Sequence, residues 1–219
     1  RKVSKKNAVL ENQKTHLGLI NRILRHDLAN NLNVIHSAVN LFKERKNGVF
    51  LTEILSYVKK SIQLIRNMKE LESVFGEKRQ LEEMHLGFTC EKAAEAYTDI
   101  DISTDLPDTR VIADESLGSV IDNLISNAVR HGKAGRIDLT ASEEEDKVFL
   151  RVQDNGSGIE DSIKERIFEE QFSFGESGNT GLGLYIVKKM MQKWGGNVRV
   201  KDNEPRGAVF ILAFRKSSG

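Results

Sequence analysis

The segment Leu24-Arg-His-Asp-Leu-Ala-Asn30 sets an imidazole between an arginine and an acid, with an amide four residues further on. An imidazole is largely neutral near pH 7, so a ring nitrogen can act as a nucleophile without strong activation. Three later segments carry the groups that a phosphate-rich ligand needs. Asp122-Asn-Leu-Ile-Ser-Asn-Ala128 puts the amides of Asn123 and Asn127 on one helix face, either as carbonyl donors to a metal ion or as structural hydrogen-bond makers. Asp154-Asn-Gly-Ser-Gly158 closes a strand pattern with a carboxylate and two glycines, although Asp-Asn-Gly is also ordinary turn chemistry. Gly178-Asn-Thr-Gly-Leu-Gly-Leu184 precedes a helical pattern, where free N–H groups and the positive end of the helix dipole favour phosphate. Each of the four has a bland reading by itself. In this order they read as an acceptor followed by a donor in ATP-driven phosphoryl transfer.

The elements that must position these groups differ between the two parts of the chain. Of the 17 glycines in 219 residues, 12 lie from Gly132 onward, so the front is helical and the back loop-rich. Val3, Leu10, Leu17 and Leu24 recur every seven positions, with a second column at Ile20, Val34 and Leu41, which predicts a coiled-coil-like seam. Lys46-Asn-Gly48 predicts a turn within the connection 43–50. A second stripe then follows at Leu51, Ile54, Leu55, Val58, Ile62, Ile65, Met68 and Phe75. Two long antiparallel helices follow from this. Their apolar face is too long to hide within one hairpin, which predicts a homodimer through a four-helix bundle.

From residue 80 the pattern predicts helices over 89–97, 116–130, 162–168 and 182–194, and strands over 111–112, 136–141, 148–153, 198–200 and 208–214. Helices laid on one face of a mixed sheet are the economical arrangement. Charge is balanced, 33 Lys+Arg against 32 Asp+Glu, so no nucleic-acid partner and no acidic membrane surface is expected. Cys90 is the single cysteine, which excludes an internal disulfide and fits a reducing compartment. No apolar run is long enough to span a bilayer, so no direct membrane contact is expected. A cytoplasmic location is the expectation, with any sensing or membrane-spanning part upstream.

Together the later segments resemble the N, G1 and G2 boxes of the histidine-kinase ATP-binding domain, in the GHKL (Bergerat) ATPase family. Ile167-Phe168-Glu-Glu-Gln-Phe172 resembles its F box, and Ala113-Asp114 a pair found just before the N-box helix. The likeness covers most of residues 80–214. His26-Asp27-x-x-Asn30 resembles the H box of the dimerisation and phosphoacceptor domain of histidine kinases, over roughly residues 10–75.

The resemblance implies an α+β protein. A helical hairpin for dimerisation and histidine phosphotransfer would occupy residues 1–78, and an α/β sandwich ATP-binding domain residues 79–219. It implies that Asn127 ligates Mg²⁺, that Asn123 supports the metal and phosphates, and that Arg130 stands where the family usually has a phosphate-contacting Lys. His131 falls where a ring often lies against adenine. Asp154 would accept from the adenine amino group, Gly156 and Gly158 would shape that wall, and Gly181, Leu182 and Gly183 would close on the phosphates beneath a lid over 173–180. His26 would be phosphorylated on Nε2 with Asp27 as its acid-base partner, and Asn30 would position a water for dephosphorylation of a partner. The partner implied is the receiver domain of a response regulator.

One position separates reaction types. The ATP-hydrolysing relatives carry a Glu four residues before the metal-binding Asn, and this chain has Asn123 there. An amide is not a general base, so phosphoryl transfer to another nucleophile is favoured over a GHKL-type ATPase or conformational machine, the alternative reading.

Overall fold

In the computed structural model of this chain, the residues described are 18, 26–75, 80–170, 172 and 181–216. The column Val3, Leu10, Leu17 and Leu24, the residue Ile20 and the expected lid over 173–180 lie outside them. The chain divides into two compact units, Arg1–Glu77 and Lys78–Gly219.

In the first unit, residues 26–45 are helical (α1) and Val49–Phe75 form α2. The expected turn lies between them. Lys46 adopts a left-handed φ of 48°, and Asn47 Oδ1 accepts from the Val49 N–H at 3.1 Å, capping an orphan donor of α2. Ala38, Leu64 and Leu71 are buried. The stripe chosen from sequence has a different fate: Leu51, Leu55, Val58, Ile62 and Ile65, alternately four and three positions apart, are all exposed. The buried side of α2 is mixed, with Ser61, Asn67 and Glu70 beside Leu64 and Leu71, so the more apolar stripe read from the sequence lies largely on the outer face, with only Ile54 and Met68 half-buried.

The second unit begins with β1 (Glu82–His85), α3 (Leu86–Ala94), β2 (Asp101–Asp105) and β3 (Arg110–Ala113). It continues through α4 (Leu117–Arg130), β4 (Arg136–Glu144), β5 (Lys147–Asp154), α5 (Gly183–Lys193), β6 (Asn197–Asp202) and β7 (Ala208–Arg215). Five strands form one sheet in the order β2-β4-β5-β7-β6, with β2 parallel to β4 and every other pair antiparallel. The mixed sheet of the sequence reading is therefore present, as is the β4–β5 hairpin, whose acidic turn places Glu145 at φ 47°. Strands β1 and β3 pair separately.

Alternation along β5 buries Val148, Leu150 and Val152 on one face, together with Ile137, Leu139, Phe210, Leu212 and Phe214 from β4 and β7. Against them pack the apolar stripe of α4 (Leu117, Val120, Ile121, Leu124, Ile125, Ala128) and that of α5 (Ile186, Val187, Met190, Met191). The core is thus a helix layer on a sheet, and it holds the ends of α4, β5 and α5 in place.

Three local expectations differ. Helix α3 begins at Leu86 because His85 Nδ1 accepts from the Phe88 N–H at 3.0 Å, a cap outside the usual residue set. Residues 162–168 form two 3₁₀ turns, Asp161–Ile163 and Arg166–Phe168, in place of a helix. Phe168 is buried there, edge-on to Phe210 with centroids 6.3 Å apart, so core packing rather than helical propensity sets that segment. Strands β1 and β2 had no counterpart in the sequence reading. Among the described residues, no helix is long and apolar enough to cross a membrane.

Candidate functional site

The described part of α1 starts at His26, whose side chain is 74% exposed. His26 Nδ1 lies 2.9 Å from Asp27 Oδ1. Adjacent helical residues do not normally face each other, but side chains lean toward the helix N-terminus, and the short Asp27 carboxylate reaches back to the ring. A carboxylate accepts, so the proton of that bond sits on Nδ1 and the lone pair of the ring on Nε2. Asn30, one turn on, brings Nδ2 to 3.3 Å from Nδ1 and 3.5 Å from Nε2, so with this tautomer its donation goes to Nε2. The three H-box residues are therefore within reach of one another, including the contact that spacing alone did not predict.

In the second unit, Asp154 ends β5 and is 4% exposed. Its Oδ1 accepts from the Gly156 N–H at 2.8 Å and the Ala208 N–H at 3.3 Å. Among the described residues its Oδ2 has no hydrogen-bond partner. Burial pushes the Asp154 carboxyl above its ordinary range, and the two N–H groups partly offset this. Gly156 is required by a close approach: a Cβ there would lie 2.5 Å from the Gly132 carbonyl oxygen. The Ser157 N–H bonds that same carbonyl at 2.8 Å, which ties the glycine loop to the end of α4. Gly158 takes φ 76° beside Gly207.

On α4, Asn123 is 6% exposed. Its Nδ2 donates to the Ser119 carbonyl at 2.9 Å, and its Oδ1 would lie 3.0 Å from a Cβ at Gly183. The N-box amide and the last glycine of the G2 segment are thus neighbours. Asn127 is half-buried, and its side chain makes no hydrogen bond among the described residues. Arg130 stands exposed on the last turn of α4. His131 is also at the surface, yet crowding by neighbouring protein and then the Arg130 charge hold its imidazole below its ordinary range. Gly181 has φ 64°, and the buried Leu182 opens α5, its carbonyl accepting from the Ile186 N–H at 2.8 Å.

Several supporting partnerships were not expected from the sequence, although Asp114, Asp122 and Asn155 lie in segments that it singled out. Asn155 Oδ1 accepts from the N–H groups of Gly135 and Arg136, both at 3.0 Å, closing the loop after α4 onto the end of β5. Tyr97 Oη donates to Asp122 Oδ1 at 2.7 Å, and burial followed by that bond pushes its hydroxyl far above the usual range. Lys193 Nζ bonds Asp114 Oδ2 at 2.9 Å, linking the approach to α4 with the end of α5. Burial alone would raise the Asp114 carboxyl, but Lys193 and the Ser116 N–H outweigh it and hold the group below the ordinary carboxylate range. All are long-range partnerships, and only turn residues such as Asn155-Gly156 mark one end of them in sequence.

The donor set suits Mg-ATP. Among the described residues no cluster of three or more His, Cys, Asp or Glu side chains could cage a metal ion. Two amide oxygens leave most of the coordination shell to phosphates and water, which is how Mg²⁺ is usually held beside a nucleotide.

Residues 113–218 match the family described as histidine kinase-, DNA gyrase B- and HSP90-like ATPase. The chain is 29% identical over 217 residues to the sensor histidine kinase YcbM of Bacillus subtilis, covering 88% of this chain and 70% of that protein. Matches to other sensor kinases span between 16% and 28% of their lengths. The solved ATP-binding domain of PrrB from Mycobacterium tuberculosis is 28% identical, with a TM-score of 0.54 over 64% of this chain and all 100% of that one. Histidine kinase ThkA, solved with the response regulator protein TrrA, shares the fold across 99% of this chain and 66% of its own, with a TM-score of 0.72 at 23% identity.

Proposed function

We propose that this chain, similar along most of its length to a sensor histidine kinase, phosphorylates His26 from Mg-ATP and passes the phosphoryl group to an aspartate on the receiver domain of a response regulator. The observation that carries this reading is the His26–Asp27 bond. It commits the ring proton to Nδ1 and leaves Nε2, met among the described residues only by the Asn30 amide at 3.5 Å, as the nucleophilic atom of an exposed ring. In the proposed step Nε2 attacks the γ-phosphorus, the bond from that phosphorus to the bridging oxygen breaks, and ADP leaves with the electron pair. Asp27 stabilises the positive charge that develops on the ring.

The donor residues have separate tasks in this reading. Asp154 accepts from the adenine amino group, beside Gly156 and Gly158. Asn127 and Asn123 offer carbonyl oxygens to Mg²⁺, which when bound neutralises phosphate charge. Arg130, His131, Gly181, Leu182 and Gly183 border the rest of the nucleotide. Buried Asn123, with its Nδ2 committed to Ser119, supplies no base for water, which supports phosphotransfer over hydrolysis. Residues 1–78 act as the dimerisation and phosphotransfer hairpin, in a homodimer whose seam is the exposed stripe of α2. Residues 79–219 act as the catalytic ATP-binding domain. A receiver is the proposed partner, as TrrA is of ThkA. Asn30 directs a water at the phosphoaspartate of that partner, giving phosphatase activity. A reducing, cytosolic setting fits the single buried Cys90, whose thiol burial pushes to about 12.

Incubation with radiolabelled ATP is expected to give an acid-labile, alkali-stable phosphoprotein. His26→Gln is expected to lose that label while still binding nucleotide; label that persists overturns the assignment. Asn30→Ala is expected to slow dephosphorylation of a phosphorylated receiver about tenfold or more, by loss of water positioning, without blocking autophosphorylation. An unchanged dephosphorylation rate sinks the phosphatase part alone. Steady phosphate release in the absence of any partner would favour the ATPase reading.

A further inference from the structure

The connection between β6 and β7, residues 203–207, folds directly over the last peptide of β5. Asn203 Nδ2 donates to the backbone carbonyl of Asp154 at 2.8 Å. Its Oδ1 in turn accepts from Gln153 Nε2 at 2.8 Å, so the Asn203 amide is oriented from both ends. The Asn203 N–H bonds the Gly207 carbonyl at 3.0 Å, closing the loop on itself. Gly207 has φ 121°, and a Cβ there would lie 1.8 Å from the Asp154 carbonyl oxygen, so the loop approaches closer than any side chain permits. The next residue, Ala208, gives its N–H to Asp154 Oδ1 at 3.3 Å. One loop therefore holds Asp154 at its carbonyl and at one carboxylate oxygen, and leaves Oδ2 outside these contacts.

We propose that Asn203 is a positioning residue for base recognition: acting through the Asp154 peptide, it sets the direction in which the carboxylate meets the exocyclic amino group of a purine. The inference rests on the reading of Asp154 as the residue that accepts from that amino group. A carboxylate that can rotate loses directional preference for one donor, whereas contacts to ribose and phosphates are untouched. The signature is therefore selective: recognition of the amino group weakens, and general nucleotide binding does not.

Competition against a fluorescent nucleotide, with ATP and with the triphosphate of purine riboside, which lacks the 6-amino group, tests this on the purified chain. Asn203→Ala is expected to weaken ATP about fivefold, the size of one neutral hydrogen bond, and to leave the amino-free analogue within about twofold. Gln153→Ala, which frees the Asn203 amide without removing it, is expected to act in the same direction at about twofold. Equal losses for both nucleotides, or no loss for ATP, overturn the proposal. Asp154→Asn places an N–H donor in the carboxylate and is expected to abolish the preference for ATP over the analogue. If it does not, the reading of Asp154 falls, and the proposal with it. If it does while Asn203→Ala leaves the preference intact, only the role of Asn203 falls. Should Asn203→Ala fail to fold, Gln153→Ala decides, and an unaltered preference there overturns the proposal.

Discussion

The helical hairpin and the ATPase unit present their chemistry in opposite ways. His26 has a side chain 74% exposed, oriented by neighbours on its own helix, whereas Asp154 is 4% exposed and held by the Gly156 N–H of its own turn and by Asn203 and Ala208 at the β6–β7 connection. The difference follows from what each is proposed to meet. A phosphoacceptor serves two macromolecular partners in turn and has to be reachable, so its orientation comes from residues one and four positions away. A nucleotide reader gains from exclusion of water, which sharpens the cost of a mismatched hydrogen bond, so Asp154 is gripped by residues far away in sequence as well as by its own turn. Local encoding suits the first and tertiary encoding the second.

Three perturbations sharpen or break this contrast. The largest is expected from Lys193→Met, which strands the buried Asp114 carboxylate and should destabilise the ATPase unit by about 3 kcal/mol at neutral pH, read by thermal or urea unfolding. Its pH dependence has a definite sign. The folded carboxyl of Asp114 is depressed, so its contribution is present above the ordinary carboxylate value near 4 and is lost as pH falls through the folded value. The gap between the native chain and Lys193→Met should therefore shrink as pH falls from about 7 through and below the ordinary carboxylate range; a constant gap breaks the assignment of the ion pair.

A smaller loss is expected from Gly156→Ala, whose Cβ would press on the Gly132 carbonyl: about 2 kcal/mol, with nucleotide affinity down about tenfold. Unaltered nucleotide binding there would mean that the glycine loop does not shape the site. Least disturbance of the ATPase unit is expected from Ile62→Lys on the exposed stripe of α2, within about 0.5 kcal/mol in the unfolding of that unit. Sedimentation velocity should nonetheless show the proposed homodimer weakened by about tenfold or more, since a charge would replace an apolar side chain on the stripe proposed as its seam. A dimer of unchanged strength would remove α2 from the interface.

Much of the fold is legible in the sequence where periodicity is strong and one face is buried. The stripe of α4, the β4–β5 hairpin and the Asp-Asn-Gly strand end follow from apolar spacing and turn residues alone. Strand β2 was hidden because Asp101-Ile-Ser-Thr-Asp105 is a short edge strand with acidic ends, given its structure only by parallel pairing with β4. The start of α3 was hidden because a histidine caps it. In the candidate site, the residue types were readable, and so was the one-turn relation of His26 to Asn30. The grip of Asn203, Ala208 and Asn155 on the β5 end was not, because each partner lies some 20 to 50 positions away and only the sheet brings them together.

The carbonyl of Gly132 lies at the crossing of two functional strips of the molecule, receiving the Ser157 N–H and abutting Gly156 where a methyl group would not fit. That crossing fixes the spacing between the tail of the asparagine-bearing helix and the loop after the buried aspartate. In the proposed reading, the groups assigned to the adenine and to the metal and phosphates are thereby set against a single fixed span.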